Sequence, residues 1–200
     1  MRWTVKRPLE VDPAAVRDFD GVILSGAPRS ANDRDQVHSQ LVGCVHECDR
    51  SGVPFLGVCY GHQLLAVAAG GTVGPNPSGL ELATIRVHPT EIGAACPLFT
   101  GLGDGFEVLS SHQETVLSLG PETVLLGTAA ESAVQAIQWR RTSYGVQFHP
   151  ETDPDTLRFI WQQGPLPGEQ TPIVAALLDR LTPAPLACHV ITNFLEHIIP

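Results

Sequence analysis

Val53-Pro54-Phe55-Leu56-Gly57-Val58-Cys59-Tyr60-Gly61-His62-Gln63-Leu64-Leu65-Ala66-Val67-Ala68-Ala69, closed by Gly70-Gly71, is the stretch on which the fold turns. Val53 to Val58 is a brief aliphatic run, which predicts a buried strand. Gln63 to Ala69 are mostly good helix formers, and Gly70 is the stop. Gly57-x-Cys59-x-Gly61 has the spacing of a nucleophile elbow, a sharp turn from strand to helix. Glycines flank the turn because it leaves no room for neighbouring Cβ atoms. Such a turn lifts Cys59 out of the backbone and sets it at a helix N-terminus, where free N–H groups and the dipole favour a thiolate. An isolated cysteine on an apolar strand is ordinarily a small buried hydrophobe. The two glycines, the strand-turn-helix setting and the polar His62-Gln63 pair make Cys59 a candidate nucleophile instead.

Upstream, Gly21-Val22-Ile23-Leu24 predicts a buried strand ending in Ser25-Gly26-Ala27-Pro28-Arg29-Ser30, a turn-rich loop. In open α/β sheets ligands bind at that end of a strand, although an ordinary tight turn reads the same way. Asp35 to Ser51 predicts a helix with Val37, Leu41, Val45 and Cys48 as its apolar stripe. Asp12 caps a brief helix that opens on Pro13, and Trp3-Thr4-Val5 is a candidate short strand. Strand, loop, helix, strand and helix in succession argue for a parallel sheet with helices on its faces.

After Gly71 the pattern changes. Thr72-Val73, Ala83 to Val87, Phe106 to Leu109, Thr123 to Leu126 and Ala133 to Trp139 are strand candidates separated by Gly and Pro turns. They either extend the sheet or form an antiparallel layer beside it. Ser110 to Glu114 is expected as a loop, with His112 a surface or structural residue on its own evidence. Ser143 to Phe148 predicts a strand running into His149-Pro150-Glu151, where Pro150 ends the ladder. Residues two apart on an extended chain point to one side, so His149 and Glu151 can face a common site. A carboxylate beside an imidazole orients it and stabilises its charged form. Cys59, His149 and Glu151 then make a nucleophile, base and orienting group; the alternative is a surface pair. Asp155 to Gln163 predicts a helix, Gly164 to Gly168 a loop or linker, and Ile173 to Leu181 and His189 to Ile199 further helices. The last presents Phe194, Leu195, Ile198 and Ile199 as a docking face, with His189 and His197 structural or exposed. Residues 1–163 are expected to form one domain, with 164–200 a helical extension packed on it.

The chain has 200 residues, 43% of them hydrophobic and 16% charged, which suits a folded globular protein. No apolar run reaches transmembrane length, and the first seven residues lack the apolar core of a signal peptide. A formal charge of −9 with no long basic cluster argues against nucleic-acid binding. The five cysteines are irregularly spaced, so no disulfide framework is expected and a reducing cytoplasm is the simpler setting. Cys44, His46 and Cys48 lack a second ligand pair at zinc spacing, so no metal is expected. No Gly-rich nucleotide loop is present in the sequence.

Gly57-Val58-Cys59-Tyr60-Gly61-His62-Gln63-Leu64-Leu65 and Gly145-Val146-Gln147-Phe148-His149-Pro150-Glu151 resemble the two signature motifs of class I, triad-type glutamine amidotransferases. Ser25 to Ser30 is similar to the family's Gly-Gly-Pro loop. Gly79-Leu80-Glu81 and Ser111-His112-Gln113 match segments of the subgroup resembling the amidotransferase domain of GMP synthase. The resemblance spans about Phe19 to Leu157. It implies a flavodoxin-like α/β fold, a mostly parallel sheet with helices on both faces and an additional antiparallel layer. It also implies hydrolysis of a γ-glutamyl amide without a cofactor. Cys59 would attack, His149 would shuttle the proton, and Glu151 would hold His149. The N–H groups of Ala27 and Tyr60 would form the oxyanion hole, and Gly26, Gln63 and His112 would border the substrate. Three departures stand out. The family's opening strand and helix have no counterpart ahead of Trp3, Ala27 replaces the second glycine of the loop, and the chain beyond Gln163 does not match the usual ending. The implied substrate is glutamine, with the ammonia passing to a synthetase partner. A stand-alone γ-glutamyl peptidase or hydrolase and an inactive regulatory domain are the alternatives.

Overall fold

The computed structural model describes residues 2–163 and 171–200. The expected linker at Gly164 to Gly168 lies outside the described residues. Trp3 to Val5 form no strand and are exposed. Asp12 caps a 3₁₀ turn, Pro13–Asp18, by accepting the Ala14 N–H at 3.0 Å. The strand β1 (Val22–Leu24) leads through the 25–30 loop to helix α1 (Gln36–Ser51), which Asp35 caps and Gly52 ends in a left-handed conformation. Strand β2 (Phe55–Val58) and helix α2 (Tyr60–Ala68) meet at Cys59.

The later strands are β3 (Thr72–Pro75) and β4 (Glu81–Pro89), then, after the short helix α3 (Glu91–Ala94), β5 (Phe106–His112), β6 (Glu114–Ser118), β7 (Thr123–Thr128), β8 (Ala136–Trp139) and β9 (Ser143–Val146). Seven of them form one sheet in the order β1-β2-β9-β8-β7-β4-β5, and β3 with β6 forms a separate two-stranded ribbon. The pairs β1-β2 and β2-β9 are parallel, as the opening strand-helix alternation requires. From β9 outward every pairing is antiparallel. The α/β class is as expected. Its antiparallel strands continue the parallel sheet edge to edge, and only the β3-β6 ribbon stands apart.

Two further segments differ from expectation. Ser110 to His112 are the end of β5, because β4 pairs with β5 all the way from Val87↔Phe106 to Glu81↔His112. His112 is therefore a buried strand residue and not a loop residue. Glu114–Ser118 is a further strand, and its Thr115-Val116-Leu117 run carries the β-branched signal for it.

The sheet separates two cores, because successive strand residues point to opposite faces. Phe55 joins Leu41, Val45, Cys48, Leu64 and Leu65 under α1 and α2. Leu56 and Val58 join Val87, Phe106, Val146 and Phe148 on the other face. That second core is closed by helix-forming residues near the C-terminus. Helix α4 (Pro154–Gln163) follows the β9 strand end, then come α5 (Thr171–Asp179) and α6 (His189–Asn193), which runs into a π-helical turn, Phe194–Ile198. Val190 and Phe194 are fully buried in the second core. Leu157, Val174 and Leu178 pack with Leu82 and Leu109 as a third cluster.

Candidate active site

The elbow is as tight as its glycines imply. Cys59 has φ +51° and ψ −102°, a conformation that side chains seldom adopt. A Cβ on Gly57 would lie 2.3 Å from the Gly61 carbonyl oxygen, and one on Gly61 would lie 2.2 Å from the Leu24 carbonyl oxygen. Both positions therefore require glycine for the close approach of backbone to backbone. The Cys59 N–H donates to the Val146 carbonyl at 2.8 Å, which ties the elbow to β9.

Beyond β9 the chain brings His149 to the same place. The His149 N–H donates to the Leu109 carbonyl at 2.8 Å, fixing its backbone against β5. Its Nδ1 lies 2.7 Å from Glu151 Oε1, and the ring sits beside Cys59 across Gly26. Gly26 wedges beside them: a Cβ there would lie 2.9 Å from His149 Cε1 and 3.5 Å from Cys59 Cβ. The His149 side chain is 15% exposed and Glu151 is 40% exposed, so the group opens to solvent on one side. Burial disfavours the imidazolium, but the hydrogen bonds and charges of Cys59 and Glu151 outweigh it and push the His149 pKa up to about 10. At neutral pH this ring holds a proton.

Tyr60 follows Cys59 in the first turn of α2, and Ala27 follows Gly26 in the loop after β1. Neither N–H is donated to another backbone group among the described residues. Ala27 has a negative φ, so alanine fits where the resemblance expects glycine. On the remaining side, the Ser111 carbonyl oxygen lies 3.8 Å from Cys59 Sγ.

Gln63 and His112 belong to a buried polar network behind that carbonyl. Gln63 Nε2 donates to the Glu114 carbonyl at 2.7 Å and to Gln147 Oε1 at 3.1 Å. His112 Nδ1 faces the same Glu114 carbonyl at 2.9 Å, and a carbonyl only accepts, so Nδ1 carries hydrogen. His112 Nε2 faces Glu81 Oε1 at 2.9 Å. Burial works against the Glu81 charge, but His112, Ser110 and Gln135 hold its carboxyl below the usual range. The pairing of Glu81 with His112 is not readable from sequence, because it depends on the β4-β5 register. Trp161 is also new: its Nε1–H donates to Ser111 Oγ at 2.9 Å, laying α4 against the site.

Cys44 and Cys48 lie on the buried face of α1, where burial pushes their thiols up to about 11 and about 12, so they pack as hydrophobes. Among the described residues no group of three or more His, Cys, Asp or Glu could hold a metal ion, and no helix is long and apolar enough to cross a membrane.

Fold and elbow together define an α/β protein with a cysteine at the nucleophile position of a strand-to-helix turn. The family model for class I glutamine amidotransferases matches residues 2–159, and the chain belongs to that family. Component 2 of anthranilate synthase from Mycobacterium tuberculosis is 38% identical over 145 residues, 70% of this chain and 59% of that protein. One of the subunits of the glutamine-hydrolysing GMP synthase from Ignicoccus hospitalis is 33% identical over 72% of this chain and 73% of that one. The chain thus spans under two thirds of the mycobacterial protein's length and about three quarters of the length of its Ignicoccus relative. A glutamine amidotransferase structure from Thermotoga maritima superposes with a TM-score of 0.76 over 98% of this chain and 82% of that one, at 21% identity. That likeness concerns the fold.

Proposed function

We propose that this chain hydrolyses the side-chain amide of glutamine through a thioester on Cys59, giving glutamate and ammonia. The observation that carries the reading is the convergence at the elbow, where Gly26 packs against both Cys59 and the His149 ring and His149 Nδ1 lies 2.7 Å from Glu151.

In this reading the Cys59 thiolate adds to the amide carbon while the His149 imidazolium stands beside it. The carbonyl oxygen becomes an oxyanion and is met by the N–H groups of Ala27 and Tyr60, fixed donors for charge that exists only in the transition state. His149 passes its proton to the nitrogen, the C–N bond breaks and ammonia leaves. His149, now neutral, takes a proton from water, whose oxygen attacks the thioester carbon. The C–S bond breaks, glutamate departs, and the Cys59–His149 pair is restored. Glu151 keeps Nε2 of the ring aimed at sulfur throughout. With oxygen on the Ala27–Tyr60 side and nitrogen toward His149, the rest of the substrate extends along Ser111.

The ammonia goes to an acceptor on a synthetase partner. Support comes from relatives named as component 2 of anthranilate synthase and as one of the subunits of GMP synthase. The test is glutamate release by the purified chain from glutamine and, separately, from a γ-glutamyl peptide, with Cys59→Ala as control. Cys59-dependent release favouring glutamine is expected. Preference for the peptide moves the reading to a γ-glutamyl hydrolase, and release that survives Cys59→Ala overturns the thioester route.

A further inference from the structure

The loop that carries Ala27 is held by a side chain to which neither the motifs nor the mechanism assigns a role. Arg29 Nη2 lies 2.5 Å from Asp35 Oδ2 and 3.1 Å from Asp33 Oδ2. Asp35 is itself fixed, because its other oxygen accepts the His38 N–H at 2.9 Å as the cap of α1. The Arg29 N–H donates to the Ala27 carbonyl at 2.8 Å, closing a tight turn over Pro28. The Tyr60 hydroxyl and Arg29 Nε are both buried, and neither has a hydrogen-bond partner among the described residues. One side chain thus ties the 25–30 segment, which carries Ala27, to the residue that caps α1.

We propose that Arg29 is a positioning residue for the oxyanion hole, tying the Ala27 loop to the capped N-terminus of α1 so that the Ala27 N–H stays aimed at the substrate oxygen. The inference rests on the amide-hydrolase reading. Its physical content is that oxyanion donors work through preorganisation, so a donor that wanders loses rate without losing substrate affinity. Stability is a separate matter. Arg29, Asp33 and Asp35 have side chains 29%, 39% and 50% exposed, and ion pairs in such settings add little to the folding free energy. An ordinary surface pair and a positioning latch therefore predict different kinetics for variants of similar stability.

The experiment compares the wild-type chain with Arg29→Met, which keeps the apolar stem, and Arg29→Lys, which restores a charge. Glutaminase kcat and KM, the rate at which iodoacetamide alkylates Cys59, and the thermal midpoint are read on each. Alkylation forms no oxyanion, so it reports the nucleophile without the hole. Expected for Arg29→Met is a kcat lower by about 10- to 100-fold, somewhat less than the loss of a whole donor. KM, alkylation rate and midpoint stay close to wild type, and Arg29→Lys recovers part of kcat. An unchanged kcat in Arg29→Met overturns the inference. So does a loss in which KM, alkylation and midpoint all shift together, which makes Arg29 a general structural support. A wild-type chain that is alkylated at Cys59 but releases no glutamate overturns the hydrolase reading, and this inference falls with it. That failure shows in the wild type and is distinct from a failure confined to the variants.

Discussion

His149 and His62, the second packed in α2 against Gly145, are driven in opposite directions by their surroundings. His62 is fully buried beside the elbow, and burial pushes its pKa down to about 3. An unfolded chain returns it to about 6.5. As pH falls from 6.5 toward 3, the unfolded state takes up a proton that the native state refuses, so stability falls by roughly 1.4 kcal/mol per pH unit from this residue alone. His149 does the reverse. With its pKa raised to about 10, its contribution is complete below pH 6.5 and is lost as pH rises toward 10. Urea unfolding from pH 4 to 9 should show both limbs. His62→Gln should flatten the acid limb and leave the alkaline one, and ¹⁵N spectra should find His62 neutral at pH 5 and His149 protonated at pH 8. Glu151 acts only through His149. Glu151→Gln should lower kcat for glutamine by about 10²-fold with little change in thermal midpoint, since the carboxylate is 40% exposed.

At the scale of the element, the strand-turn-helix is a set of backbone contacts that glycine alone permits. Gly57→Ala sets a methyl 2.3 Å from a carbonyl oxygen on the facing turn, and neither backbone can retreat without moving β2 or α2. Expected is a loss of more than about 3 kcal/mol, or failure to fold, by urea titration. Gly79→Ala is the matched control. Gly79 has φ +80° with open space around it, so alanine there should cost only about 1 kcal/mol. The elbow was legible from sequence because its cause is local: one glycine on each side of a cysteine, between an aliphatic run and a helix. The His149-Pro150-Glu151 spacing was legible for the same reason. Ser110 to His112 misled because a pair of serines before a histidine looks like a turn, and only the β4 strand opposite holds it extended. Trp3 to Val5 misled in the other direction. A β-rich tripeptide makes no strand without a neighbour to pair with, and β1 pairs with β2 alone among the described residues.

At the scale of the molecule, what joins the site together is long-range. Glu81 meets His112 and Trp161 meets Ser111, each across elements whose meeting depends on the strand order. Sequence offers the residue types for such contacts but no signal for the pairs. The same holds for the C-terminal residues. They are amphipathic by pattern, yet the core that receives them is assembled from β2, β4, β5 and β9. Phe194 is fully buried there, and Asn193 Nδ2 donates to the Leu98 and Thr100 carbonyls at 3.0 and 2.9 Å. We propose on this basis that residues 171–200 unfold together with the sheet. Phe194→Ala should then cost about 3–5 kcal/mol, the penalty for a large cavity in a packed interior. Asn193→Ala should cost about 1–3 kcal/mol, because it leaves buried carbonyls without a donor. The decisive feature is the form of the transition. Tryptophan fluorescence and far-ultraviolet circular dichroism should give coincident curves in wild type and in both variants, shifted in midpoint with the slope unchanged. If the C-terminal helices were a loosely attached unit, Phe194→Ala would instead split the curve, releasing helical signal before the sheet melts and leaving the main transition where it was.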